Sequence, residues 1–316
     1  MKRFTIWAGV LLAGCAFLAL GGKKKEPPLP DYANLMRVEK QFQRGFRFYP
    51  GGRMNISTGF MGNVEIQGWE KSQVLVEGVV TAWGYRNEDM MANVEKIQPV
   101  FSRNEADMVI ATDHPKEFRL GKIDYRITVP KYRTDITIKS NRGLISVRNV
   151  HGWLEADTVT GYLALVGLSG YVSAKTENGD IMVQFAGHRF QGHSFQAKTK
   201  KGNISLYLPS TYSADLSLIT LAGTPTADYP SFTIDEKEVL VVPQFKDKGG
   251  FINQRLREGG AVLMLQTDAG DVKLVKFDED TEYLAPAPPP PAGEAPPPPE
   301  TGGEKPPTPK SEGEKP

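Results

Sequence analysis

The chain is short of cysteine, histidine, net charge and long apolar runs, and each shortage removes a class of answer. One cysteine in 316 residues excludes an intrachain disulfide. A net charge of +1 leaves no electrostatic footprint for nucleic acid. The four histidines, His114, His151, His188 and His193, lack metal-ligand spacing such as His-Glu-X-X-His. They read as structural or surface residues, and neither a metal nor a cofactor is expected. No Gly-X-Ser-X-Gly elbow, P-loop or dinucleotide fingerprint occurs.

The one long apolar run is N-terminal. Lys2 and Arg3 precede Phe4–Leu12, and Leu12-Ala13-Gly14-Cys15 comes next. These fifteen residues resemble a bacterial lipoprotein signal ending in a lipobox. The resemblance implies cleavage before Cys15, whose thiol would carry lipid. More than one acyl chain on that residue would give stable membrane attachment. Two other readings stand beside it. Phe4–Leu20 is just long enough for a signal anchor, although Lys23–Lys25 then lie on the unfavoured side. Plain cleavage after Ala19-Leu20-Gly21 is the other. All three export the rest of the chain.

Residues 16–35 read as a spacer, charged and Pro-rich from Lys23. Residues 285–316 are Pro, Gly, Glu, Lys and Ala, apart from Thr301, Thr308 and Ser311, with no large apolar side chain. That composition cannot offset its ordering entropy, so a disordered Pro-rich tail is expected.

Residues 36–133 show strand-like alternation broken by turn signals, as in Met54/Ile56, Val64/Ile66 and Val74/Val76. One short helix is expected over Asn87–Ile97, capped by Asn87, with Met90, Met91, Val94 and Ile97 on one face.

Residues 134–278 carry the strongest pattern. Gly143, Gly152, Gly161, Gly170 and Gly179 stand nine residues apart. Two kinds of half-unit alternate between them. One places Leu154/Ala156/Thr158, Val172/Ala174/Thr176 and Phe195/Ala197/Thr199 on one face. The other places Ile145/Val147, Leu163/Leu165, Ile181/Val183 and Ile204/Leu206 there. The true repeat is therefore eighteen residues, with a five-residue insertion near Gly187–Gly192. It returns once, at Gly270-Asp271-Val272-Lys273-Leu274. Phe251–Glu258 reads as a surface loop.

A fixed period of this kind predicts stacked β-structure. The expected fold is all-β: a single-stranded parallel β-solenoid with two strands per eighteen-residue turn. Irregular β caps at both ends protect the open edges. A hexapeptide helix fails because Ile145 would be followed by His151 and Asp157. Calcium-binding nonapeptide solenoids fail for lack of a regular aspartate. An antiparallel meander would pair unlike half-units, whereas strict alternation suits like stacking on like.

That stacking sets the outside. Lys139, Asp157, Lys175 and Lys198 form a surface charge ladder. Leu144, Tyr162, Ala164, Val166 and Met182 face outward on the other side, a row too apolar for water. The N-terminal strands or the helix are expected to cover it. Trp153 and Tyr171 share one position in successive turns and should stack. With Tyr162 they are the candidate ligand-binding surface; cross-strand packing is the blander explanation.

The chain resembles a family of bacterial envelope proteins named for adhesins, DUF4097, with repeated β-strands and no known function. The carrying segments are Asn63–Glu70, Asp124–Pro130, the Thr-X-X-Gly-X-Ile/Leu-X-Leu/Val repeats and Leu265–Leu274. The resemblance covers Phe46–Phe277. It implies a β-solenoid-like fold and an envelope location, and brings no catalytic residue.

The function expected is a non-enzymatic, lipid-anchored binding or structural module of the cell envelope, on its periplasmic side or cell surface. Expected partners are the membrane through its lipid and peptidoglycan, a glycan or another envelope protein. One alternative is an enzyme acting on envelope or extracellular polysaccharide; another is an envelope-stress or regulatory partner. The enzyme would need convergent carboxylates in a cleft built by the Gly187–Gly192 insertion and the Phe251–Glu258 loop. The repeats place their acids singly on ladders instead.

Overall fold

A computed structural model of the chain describes residues 29–277, other than 50, 105, 117 and 235–236. Cys15 with its lipobox, most of the spacer, the acidic run 278–282 and the Pro-rich tail lie outside the described residues. The protein is all-β but for one helix and a single 3-10 turn among those residues.

The first third forms β1 (Met36–Arg47), β2 (Arg53–Ser57), β3 (Val64–Trp69), β4 (Gln73–Gly84), α1 (Asn87–Val94), β5 (Gln98–Arg103), β6 (Asp107–Asp113) and β7 (Gly121–Pro130). The glycine-marked stretch gives β8 (Asp135–Arg142), β9 (Ile145–Arg148), β10 (His151–Thr160), β11 (Leu163–Val166), β12 (Ser169–Asn178), β13 (Ile181–Gln184), β14 (Gly192–Lys201) and β15 (Ile204–Pro209). The remainder gives β16 (Ala214–Thr220), β17 (Pro225–Asp228), β18 (Pro230–Ile234), β19 (Lys237–Leu240), β20 (Gln244–Lys246), β21 (Gly249–Leu256), β22 (Val262–Ala269) and β23 (Val272–Phe277).

Two large mixed sheets hold nearly all of it. One runs β1-β4-β7-β3-β9-β11-β13-β15-β23-β17, the other β20-β21-β16-β22-β14-β12-β10-β8-β2-β6-β5. Like pairs with like. Leu154 pairs with Ile136 and Val172, eighteen residues to either side, in parallel. Leu163 pairs in the same way with Ile145 and Ile181. The antiparallel meander is thereby excluded for β8–β15. Across the insertion Val172 pairs with Phe195, twenty-three residues on, with a register shift at Gly170/Tyr171.

The parallel rows reach further than the glycines do. β2 pairs with β8 and β6, and β3 with β9 and β7, all in parallel. Antiparallel strands close the rows: β5 on β6, β4 on β7 and β1 on β4 at one end, β21 on β16 at the other. Phe251–Glu258 is thus no loop but most of strand β21 with the turn after it. Asn253, Gln254 and Arg255 mask its alternation, while Ile252 and Leu256 point inward.

The core lies between the sheets. Ile136, Leu154, Val172, Phe195 and Leu263 of one sheet share a cluster with Ile145, Leu163, Ile181, Ile204 and Val272 of the other. Burying each such side chain stabilises by about 1.5–3 kcal/mol. The ladder Ser140, Thr158, Thr176, Thr199 is buried as expected, and Thr58 and Thr267 extend it. Thr199 and Thr267 donate their hydroxyls to the carbonyls of Gly179 and Gly202, at 2.9 and 2.8 Å. At Thr199 and Thr267 threonine suits the position because its hydroxyl satisfies a turn carbonyl, whereas the buried Thr158 hydroxyl has no partner among the described residues.

The helix starts at Asn87, so Arg86 is the N-cap and Asn87 lies inside. Met90, Val94 and Ile97 are buried, but Met91 is exposed. α1 packs on β4 and β1, not over the apolar outer row. In that row Ala164, Val166 and Met182 are nonetheless buried, as a second cluster with Tyr162 and Tyr207 against it.

Candidate functional site

On β10 the inward set Leu154/Ala156/Thr158 leaves His151, Trp153, Glu155 and Asp157 on the outer face. On β12 the same parity leaves Tyr171, Ser173 and Lys175 outside. The eighteen-residue register then sets Trp153 against Tyr171, with ring centroids 4.0 Å apart and planes 26° from parallel. Such a stack contributes about 0.5–1.5 kcal/mol beyond its buried area. Trp153 remains 46% exposed. Its backbone N–H donates to Asp135 Oδ1 at 3.0 Å, and its Nε1–H to Glu155 Oε1 at 3.1 Å.

Beside this stack lies a cleft of ≈ 570 Å³, cut into the corners that connect the two sheets. That volume is within the usual range for a small-ligand site. Its charged and imidazole lining is Lys131, His151, His188 and Arg189; no carboxylate of the described residues lines it. The insertion builds one lip. Phe190 turns into the core, 5.5 Å from Phe185 and 5.9 Å from Phe195, and leaves Gly187–Arg189 at the surface. Lys131 Nζ is 3.5 Å from Glu70, and the Tyr132 ring meets His151 edge-on at 4.9 Å. Partial burial, then the nearby Lys131 charge, holds the His151 pKa below its ordinary value, against a smaller opposing pull from Glu70. His151 therefore favours the neutral form.

Two further concavities have a different character. A groove of ≈ 520 Å³ follows the charge ladder, where Lys139 and Lys175 flank Asp157. Lys198 and Lys200 in it are bridged to Asp268 at 3.7 Å and Glu177 at 2.6 Å. A third, of ≈ 600 Å³, holds Glu65, Glu77 and Asp124. Each of these acids is already engaged: Glu65 with Arg126 at 3.4 Å, Glu77 with Gln43 at 3.1 Å, Asp124 with Lys122 at 2.7 Å. Among the described residues, no group of three or more His, Cys, Asp or Glu side chains is placed to hold a metal ion.

Asp180, an acid outside the charge ladder, is also engaged. Its Oδ1 accepts the backbone N–H of Asn203 at 2.7 Å, Asn203 Oδ1 accepts that of Asp271 at 2.9 Å, and Asp271 Oδ1 that of Thr224 at 2.8 Å. These side chains hold successive turns as N-caps hold helices. Asp180→Ala should therefore cost about 1 kcal/mol. Denaturant unfolding that showed no loss would mean that water replaces the bond.

Of the expected surface, Trp153 and Tyr171 come together and Tyr162 does not. Tyr162 immediately precedes β11 of the other sheet, half-buried against Ala164, Val166 and Met182. Burial pushes its phenol up to about 12. The sequence does not mark the cleft as a unit; the insertion is its only signal there.

No protein-family model matches the chain, and no curated protein matches it. Among solved structures it is similar to a “putative cell adhesion protein” from Clostridium sporogenes, with a TM-score of 0.41 and 12% identity over 75% of this chain and 100% of that one. It is also similar to a “putative adhesin” from Bacteroides fragilis, with a TM-score of 0.33 and 14% identity over 75% of this chain and 97% of that one.

Proposed function

We propose that the chain is an exported, non-enzymatic binding or structural module of the bacterial envelope, tethered to a membrane by lipid on Cys15. In this reading the parallel rows are one single-stranded β-solenoid of two strands per turn. The like-on-like pairing at eighteen residues supports that geometry. The observation that carries the non-enzymatic reading is the lining of the corner cleft. Hydrolysis of a glycosidic bond by the usual route needs paired carboxylates there, and Lys131, His151, His188 and Arg189 occupy it instead.

The full chain, expressed in a bacterium fed an alkynyl fatty acid, should take up the label and sediment with membranes. Cys15→Ala should abolish both. An unlabelled wild-type protein removes the lipid anchor. Release of new reducing ends from envelope polysaccharide by the purified chain removes the non-enzymatic reading.

A further inference from the structure

We propose that the Trp153–Tyr171 stack and the basic corner cleft beside it form one binding site for a linear acidic polysaccharide whose sugars carry uronic-acid carboxylates. This rests on the binding-module reading and names the ligand class.

The two halves adjoin along the strands. His151 lies two residues before Trp153 on the outer face of β10, and Ser169 two before Tyr171 on β12; both line the cleft. Two residues of strand span about 6.6 Å, close to the reach of a pyranose ring and its carboxylate. A sugar packed against the rings therefore presents its acid to the cleft. The neighbours of the stack are short: Ser194 pairs with Tyr171, and Asp135 is bonded to the Trp153 backbone.

Charge sets the direction. Arg189 is exposed and makes no ion pair among the described residues. A guanidinium accommodates a carboxylate through two parallel hydrogen bonds. Lys131 lies over the Tyr132 ring at 5.2 Å and is bridged to Glu70, itself 70% exposed, a bridge that a ligand can displace. On the other side of Trp153 stands the Glu155 carboxylate. Cations on one flank and an anion on the other orient an acidic sugar one way round. The outer row of β12 then leads from Tyr171 to Lys175, four residues or about 13 Å away, where a second acidic sugar can be met. The aromatic stack favours a glycan over an open-chain polyol phosphate, which has no ring face to pack.

The test is titration calorimetry of the full chain with polygalacturonate, its methyl ester and inorganic polyphosphate, at low salt without divalent ions. Polygalacturonate should bind, with esterification weakening it about tenfold or more and polyphosphate binding more weakly still. Lys131→Gln with Arg189→Gln should lose about tenfold on the acid polymer and nothing on the ester. Trp153→Ala with Tyr171→Ala should lose on both. Near-native thermal midpoints show that these surface variants fold. No binding of polygalacturonate, equal binding of the ester or of polyphosphate, or indifference to both double variants overturns the proposal. Sedimentation of the same proteins with peptidoglycan sacculi and with membranes separates the two failures. Retention there despite silence in calorimetry sinks the acidic-glycan site and leaves the module; loss of both sinks both.

Discussion

Gly161→Ala is expected to lower the thermal midpoint by about 6–12 °C, from a loss of about 3 kcal/mol. A Cβ at Gly161 would sit 1.8 Å from the carbonyl oxygen of Gly143 and 2.8 Å from its carbon. Both obstacles are backbone, so no side-chain rotation relieves them. The same holds one turn on, where a Cβ at Gly179, whose φ is +154°, would meet the Gly161 carbonyl oxygen at 1.9 Å. The nine-residue glycine spacing is thus two interleaved columns of close approaches, Gly152, Gly161, Gly170 and Gly179 each resting on the carbonyl eighteen residues before it. Gly45→Ala is the control: nothing lies within 4 Å of its Cβ position, so its midpoint should hardly move. Circular dichroism melts of both decide it, and equal shifts would remove the packing explanation.

Phe195→Ala is expected to cost about 3–5 kcal/mol. Phe195 is fully buried, with its ring 4.9 Å from Phe185 and near perpendicular to it. It occupies the position held by Val172 in one neighbouring strand and Leu263 in the other. The larger side chain belongs to the turn that the insertion widens, where Phe190 also enters the core. Phe195→Leu should recover most of the loss, because it restores volume without the ring. If alanine and leucine destabilise equally, edge-to-face geometry rather than volume dominates. Guanidinium unfolding of the two variants reads this directly.

The sequence makes visible what repeats in consecutive turns. Trp153 over Tyr171, Thr158 beside Thr176, and Asp157 between Lys139 and Lys175 follow from a count of eighteen, and the strand registers hold all three. What escapes it is order in space that differs from order in the chain. β2 and β3 pair into the same rows as β8 and β9, but β4, α1 and β5 to β7 come between them in the chain, so no period marks them. The basic cleft escapes for the same reason. Lys131, His151 and Arg189 are distant along the chain and become neighbours only when the corners stack.

The placement of β22 and β23 has a consequence for synthesis. In each sheet the latest-made strand is not at the rim: β22 sits between β14 and β16, and β23 between β15 and β17. β16 and β17 leave the ribosome first but must wait as an unjoined flap until residues 262–277 arrive to fill the slot. A nascent chain stalled before Val262 would carry two open seams, each able to accept a strand from another copy. Completion of the domain is therefore gated by residues 262–277, which act as a keystone.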